Sequence, residues 1–109
     1  MAYDKQLADR IRKALGKQPK LTEREMFGGI GFMLRGNMAC GVIGEELMVR
    51  IAKEATEATL KEPGARIFDF SGRPSPGWIL VDQQVLSKPA ELRAWVNRGV
   101  EFALSLPAK

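Results

Sequence analysis

Four glycines fall within nine residues, Gly28, Gly29, Gly31 and Gly36, in the stretch EMFGGIGFMLRGN (25–37). Such spacing could let the backbone approach a phosphate, or it could only let the chain bend. A phosphate loop of the form G-x-x-x-x-G-K-[ST] needs a lysine to meet phosphate charge, and none follows Gly28, Gly29 or Gly31 at that place. A dinucleotide fingerprint begins at Gly29-Ile30-Gly31, but Leu34 stands where the third glycine belongs. The residues that follow carry hairpin signals and not those of a helix. The glycines therefore read as a bent entry to a strand, where a Cβ would clash or φ must be positive.

Other chemistry is restricted by residue type. The chain has no histidine and one cysteine, Cys40, which excludes a histidine-based triad, general base or metal ligand and leaves no zinc set. Glu45 and Glu46 are adjacent, so on a strand they point to opposite faces and cannot share a proton. Cys40 lies in an apolar pattern with no base near it in sequence, the setting of a buried, inert thiol. Trp78 and Trp95 lie in apolar patterns and read as core. No catalytic residue, cofactor or metal is expected, and the chain reads as non-enzymatic.

Charge offers the remaining candidate. The net charge is +4, and Lys5, Arg10, Arg12, Lys13, Lys17 and Lys20 crowd the first helix and its exit. Arg10, Lys13 and Lys17 sit on neighbouring turns and form the candidate nucleic-acid contact. Asp4 and Asp9 interrupt the stripe and no aromatic interleaves with it, so a solvated helix face is the stronger reading. No apolar run approaches the roughly 18–20 residues of a membrane helix, and the charged N-terminus is not a secretory signal. A lone cysteine cannot form an internal disulfide, which points to a reducing cytoplasm.

The elements that must position these residues follow from periodicity. Tyr3, Leu7, Ile11, Ala14 and Leu15 recur at helical steps, with Gly16 as the stop. Gly36-Asn37 and Gly44-Glu45 are two-residue hairpin loops that delimit a three-stranded meander, near 29–35, 38–43 and 46–51. EREMF before it is a further strand or an extended lead-in. In that register one face carries Gly31, Met33, Met38, Cys40, Val42, Leu47, Val49 and Ile51. The other carries Ile30, Phe32, Leu34, Ala39, Gly41, Ile43, Met48 and Arg50. Both faces are largely apolar, so helices should cover one and a second subunit the other, with Ile30, Phe32, Leu34, Ile43 and Met48 as the candidate dimer face. A one-residue slip at a turn would exchange the faces.

AKEATEATLKEPG reads as a short helix stopped by Pro63-Gly64, SGRPSPG (71–77) as a loop, and WILVD (78–82) as a strand. Ser87 should cap a third helix with Pro89 in its first turn and Leu92, Trp95, Val96, Gly99, Phe102, Ala103 and Leu106 along its apolar stripe. Residues 1–109 form one α+β domain.

The segments REMFGGIGFMLRGNMACGV, LMVRI, FSGRPSPGWILVD and LRAWVNRGVEFALSLP resemble the TfoX N-terminal domain family over nearly the whole chain. Met26, Phe27, Gly28, Gly29 and Gly31 carry its most recognisable signature. The resemblance implies a two-layer α+β fold similar to type III secretion chaperones, often dimeric, and no catalytic residues. TfoX/Sxy proteins regulate natural competence genes and carry a second, C-terminal domain, whereas this sequence resembles a stand-alone short member. The expected function is that of a cytoplasmic regulatory or accessory domain acting through protein–protein contacts with an unknown partner, as a homodimer. The alternative is a weak nucleic-acid-binding regulator that uses the basic first helix.

Overall fold

Asp4 begins the first helix, its carboxylate accepting from the backbone N–H of Gln6 at 2.9 Å and of Leu7 at 3.1 Å. This N-cap satisfies two of the donors a helix start leaves open. Helix α1 runs Lys5–Leu15 and stops at Gly16, whose φ is 61°. The computed structural model describes residues 3–17, 20–26, 28–70 and 72–107. Within them lie six strands, β1 (Leu21–Met26), β2 (Gly29–Leu34), β3 (Asn37–Ile43), β4 (Glu46–Arg50), β5 (Ala65–Phe70) and β6 (Arg73–Val81). Helix α2 (Thr56–Leu60) links β4 to β5, and α3 (Pro89–Ser105) follows β6. The strands form one antiparallel sheet in the order β1-β2-β3-β4-β6-β5. Leu7, Ile11 and Leu15 of α1 and Leu92, Trp95 and Val96 of α3 join one sheet face in the main core. The architecture is α+β in two layers, with the meander of β2, β3 and β4 at its centre.

The first hairpin departs from the expected register by one residue. Its loop is Arg35-Gly36, not Gly36-Asn37, and Leu34 pairs with Asn37. Both loop residues are left-handed, with φ of 52° and 83°, the conformation of a type I′ turn that matches strand twist. Tertiary contacts select it over the Gly-Asn alternative. The Arg35 guanidinium donates to the Leu104 carbonyl at 2.7 Å, and the buried Asn37 amide donates to the Pro107 carbonyl at 2.8 Å. Both bonds satisfy carbonyls at and just past the end of α3.

A bulge then shifts the ladder again. Met33 pairs with Met38 but Phe32 with Cys40, leaving Ala39 as the extra residue. A Cβ at Gly99 would lie 2.1 Å from the Ala39 carbonyl oxygen, so α3 rides directly on the bulged strand. The bulge redistributes β2, whereas moving the two-residue loop by one position leaves Met33 on the face of Met38. Ile30, Phe32 and Leu34 fall with Cys40, Val42, Leu47 and Val49 beneath the helices. Met33 falls with Met38, Ile43 and Met48 on the opposite face. The second hairpin has the expected pairing of Ile43 with Glu46 around Gly44-Glu45.

Two further segments differ from expectation. Most of SGRPSPG is not a loop: Ser71 lies outside the described residues and Gly72 is in a turn, but Arg73 already belongs to β6, which pairs with β5 at Arg73 and Pro74 and again from Ile79 after an irregularity. Its prolines, Pro74 and Pro76, are accommodated because they precede the stretch where β6 meets β4, which starts with the Gly77 carbonyl accepting from Ile51 and the pairing of Trp78 with Arg50. β5 was not expected, because Arg66 and Asp69 dilute its apolar signal and it lies at the sheet edge. Ser87 does not cap α3. Its hydroxyl donates to the Gln84 carbonyl at 2.9 Å within a preceding 3-10 turn, and Lys88 holds the N-cap position without a side-chain bond, before Pro89.

Candidate functional site

The signature glycines work in backbone packing. Met26 is the last residue of β1 and pairs with Gly29, while Phe27 lies outside the described residues. Gly28 has φ of 74°, in the hairpin turn between β1 and β2. A Cβ on Gly29 would meet the Val42 carbonyl oxygen at 2.1 Å, and Gly31 pairs with Gly41, where a Cβ would meet the Ile30 carbonyl oxygen at 2.5 Å. The stretch brings three strands close together and opens no helix, so its N–H groups do not converge on an anion as a phosphate loop's do.

The five residues grouped as a dimer face do not share one. Ile30, Phe32 and Leu34 are at most 5% exposed and lie in the core under the helices, which removes them from any contact surface. Ile43 and Met48 remain on the other face, with Met33, Met38, Phe68, Trp78 and Leu80. Among the described residues, no helical residue contributes to this second cluster. Met38, Met48 and Leu80 are buried beneath the partly exposed Met33, Ile43, Phe68 and Trp78. The face is thus apolar and rich in methionine, and among the described residues it has no helical layer. Methionine's unbranched, polarisable side chain adapts to differently shaped partners. The Glu46–Arg66 ion pair borders the cluster.

The basic set divides in a different way. Arg10 and Lys13 line a crevice of about 200 Å³ between α1 and α3, with Ala14, Pro89, Leu92 and Arg93. Arg10 also donates to the Leu86 carbonyl at 2.5 Å. Lys17 lies beyond the Gly16 cap, exposed, and does not line that crevice. Arg93 is the cation that sequence reasoning missed, because the packing of α1 on α3 that brings it there is a tertiary fact.

Several other titratable groups are engaged in structural contacts. Arg12 forms a bidentate pair with Glu23, both bonds 2.8 Å, and reaches Asp9 at 2.5 Å. The hydrogen bond from Arg12 holds the Glu23 carboxyl below its ordinary range. Arg98 grips Glu62 at 2.5 and 2.7 Å and lowers its pKa in the same way, while the guanidinium stacks 4.2 Å from the Trp95 ring centroid. The Asp4 carboxyl is lowered first by the Leu7 N–H it accepts. Cys40 is buried, and desolvation pushes its thiol up to about 12, which leaves little nucleophilic thiolate. Among the described residues, no group of three or more Cys, Asp or Glu is arranged to hold a metal ion, and no helix is long and apolar enough to cross a membrane.

The family model of the TfoX N-terminal domain matches residues 13–103. No curated protein and no solved structure gives a significant match. The matched span starts within α1, takes in the whole sheet and ends in the last turns of α3, so it covers both layers and the glycine-bearing hairpin. This chain belongs to the TfoX N-terminal domain family.

Proposed function

We propose that the protein is a non-enzymatic regulatory or accessory domain that acts through protein–protein contact in the cytoplasm, and that it pairs with a second copy of itself through the methionine-rich sheet face. The observation that carries this is the second apolar cluster, in which Met33, Ile43, Phe68 and Trp78 stay partly exposed on a face to which, among the described residues, no helix contributes. An apolar patch on one copy meets the same patch on another when two-fold symmetry makes the contact isologous. Family membership supports a regulatory, competence-related setting in general terms. The test is a dilution series on protein labelled at the methionine methyls. The signals of Met33, Met38 and Met48 should shift with concentration while core signals from Leu7 and Val96 stay fixed. Concentration-independent methionine signals, in a sample monomeric throughout, would count against the pairing.

A second reading rests on the crevice where Arg93 joins Arg10 and Lys13 with no carboxylate in its lining. Three cations from two helices suit contact with a phosphate backbone. Under this reading Lys13→Glu with Arg93→Glu abolishes a salt-dependent shift of labelled DNA or RNA. A shift that persists in that variant would place the contact elsewhere.

A further inference from the structure

Arg50 ends β4 and is half-buried, yet among the described residues it has no hydrogen-bond acceptor and no ion-pair partner. The other partly buried arginines are engaged: Arg12 and Arg98 with carboxylates, Arg10 and Arg35 with backbone carbonyls. Arg50 is held instead by rings. Its guanidinium carbon lies 5.1 Å from the Trp78 ring centroid and 5.3 Å from that of Phe102. Those rings come from β6 and α3, so the fold fixes the guanidinium from two directions. Ring contacts supply no oxygen acceptor, so the N–H donors of the guanidinium still have an acceptor to find. Among the described residues, no nitrogen of Arg50 is both buried and without a partner.

That guanidinium stands in a crevice of about 290 Å³ lined also by Lys53, Glu54, Gly77, Trp78 and Phe102. One wall is rigid backbone. Gly77 has φ of 89°, its carbonyl accepts from the Ile51 N–H at 2.8 Å, and its own N–H donates to the Thr56 hydroxyl at 2.8 Å. A Cβ at Gly77 would come within 3.0 Å of the Ile51 carbonyl oxygen, so the close approach needs glycine on both counts.

We propose that this crevice binds a single oxyanion group, a carboxylate or a phosphate, in the fork of Arg50 with Lys53 as the second charge. A planar guanidinium offers paired parallel donors that match two oxygens of either group. Its position is already set, so little side-chain freedom is lost on binding. Glu54 on the rim limits the net charge of the lining, which fits one oxyanion group and disfavours a polyanionic chain. The Gly77-Trp78 pair, one of the segments that mark the sequence, acquires a role here: Gly77 builds the wall and Trp78 clamps the cation. None of this depends on pairing through the methionine-rich face.

The experiment is a nitrogen–proton NMR titration of the whole chain with sodium phosphate and, separately, sodium acetate, each against sodium chloride at equal ionic strength. The Arg50 Nε–H, the Trp78 indole N–H and the Lys53 amide should shift saturably. Saturation by phosphate alone assigns the site to phosphate, and saturation by both assigns it to oxyanions in general. Arg50→Gln should weaken binding at least about tenfold, the worth of a lost charge-assisted bond. Lys53→Gln should weaken it about threefold and Glu54→Gln should strengthen it to a similar degree, as expected of exposed charges. Equal shifts with chloride, or titrations unchanged in Arg50→Gln, overturn the site. If that variant does not fold, the opposite effects at the exposed Lys53 and Glu54 decide it, and no effect at either is the negative result.

Discussion

The two faces of the sheet are both apolar but are built from different residues. Under the helices lie Phe32, Leu34, Val42, Leu47, Val49, Ile79 and Val81, all fully buried and most of them stiff or bulky. On the other side lie Met33, Met38 and Met48 with Ile43, Phe68, Trp78 and Leu80, several of them partly exposed. Branched and aromatic side chains interlock in one arrangement, whereas methionines repack at small expense. The covered face is therefore packed in one arrangement, and the other face is the more adaptable of the two.

The sharpest way to break this comparison is to truncate a side chain on each face. Phe32→Ala should destabilise the protein by about 3–5 kcal/mol, because the core cannot collapse around the lost ring. Met33→Ala, one position along on the partly exposed side, should cost less than about 1.5 kcal/mol. Urea unfolding measures both, and equal losses would mean that the faces do not differ in role. Next in size is Gly99→Ala. Its methyl would lie 2.1 Å from the Ala39 carbonyl, so α3 must lift from the bulge, at about 3 kcal/mol. A change in melting temperature within error would show that the helix seats differently.

Much of the fold was legible because its signals are local. The period of α1, the Gly44-Glu45 turn and the stop at Pro63-Gly64 rest on neighbours in sequence. The first hairpin was not, because Gly36-Asn37 is a sound turn dipeptide locally and the chain uses Arg35-Gly36 for reasons that lie in α3. The bonds from Arg35 to Leu104 and from Asn37 to Pro107 span about 70 positions, beyond any window of periodicity. The bulge at Ala39 is hidden for the same reason, since only the approach of Gly99 explains it. The bulge moved Ile30, Phe32 and Leu34 to the other face, because sliding a two-residue loop by one position keeps each side chain on its face. The candidate site was legible only as composition: two apolar faces and a basic helix could be read, but not which residues share a surface. Arg93 beside Lys13, and Arg50 between Trp78 and Phe102, are visible only after folding.

A smaller effect separates the faces by pH. Asp4, Glu23 and Glu62 have lowered pKa values in the folded chain. The stability they contribute is therefore full above their ordinary values of 3.8 and 4.5 and is lost as pH falls through the lower folded-state values. Asp4 caps α1, Glu23 ties β1 to α1, and Glu62 ties the segment after α2 to α3. Acid should thus loosen the helical layer first. Urea midpoints should fall modestly from about pH 6 to about pH 3, and less in Glu62→Gln than in the parent. A drop of the same size in Glu62→Gln would remove that pair from the account.

The smallest effect on stability should accompany the largest on assembly. Ile43 is partly exposed on the uncovered face and pairs across the ladder with Glu46. Ile43→Lys places opposite charges side by side, so folding should change by no more than about 0.5 kcal/mol. The most direct test of the central claim is light scattering on the parent and on Ile43→Lys at matched concentration. The account predicts a dimer for the parent and a folded monomer for the variant. A monomeric parent, or a dimer that Ile43→Lys leaves intact, would contradict it.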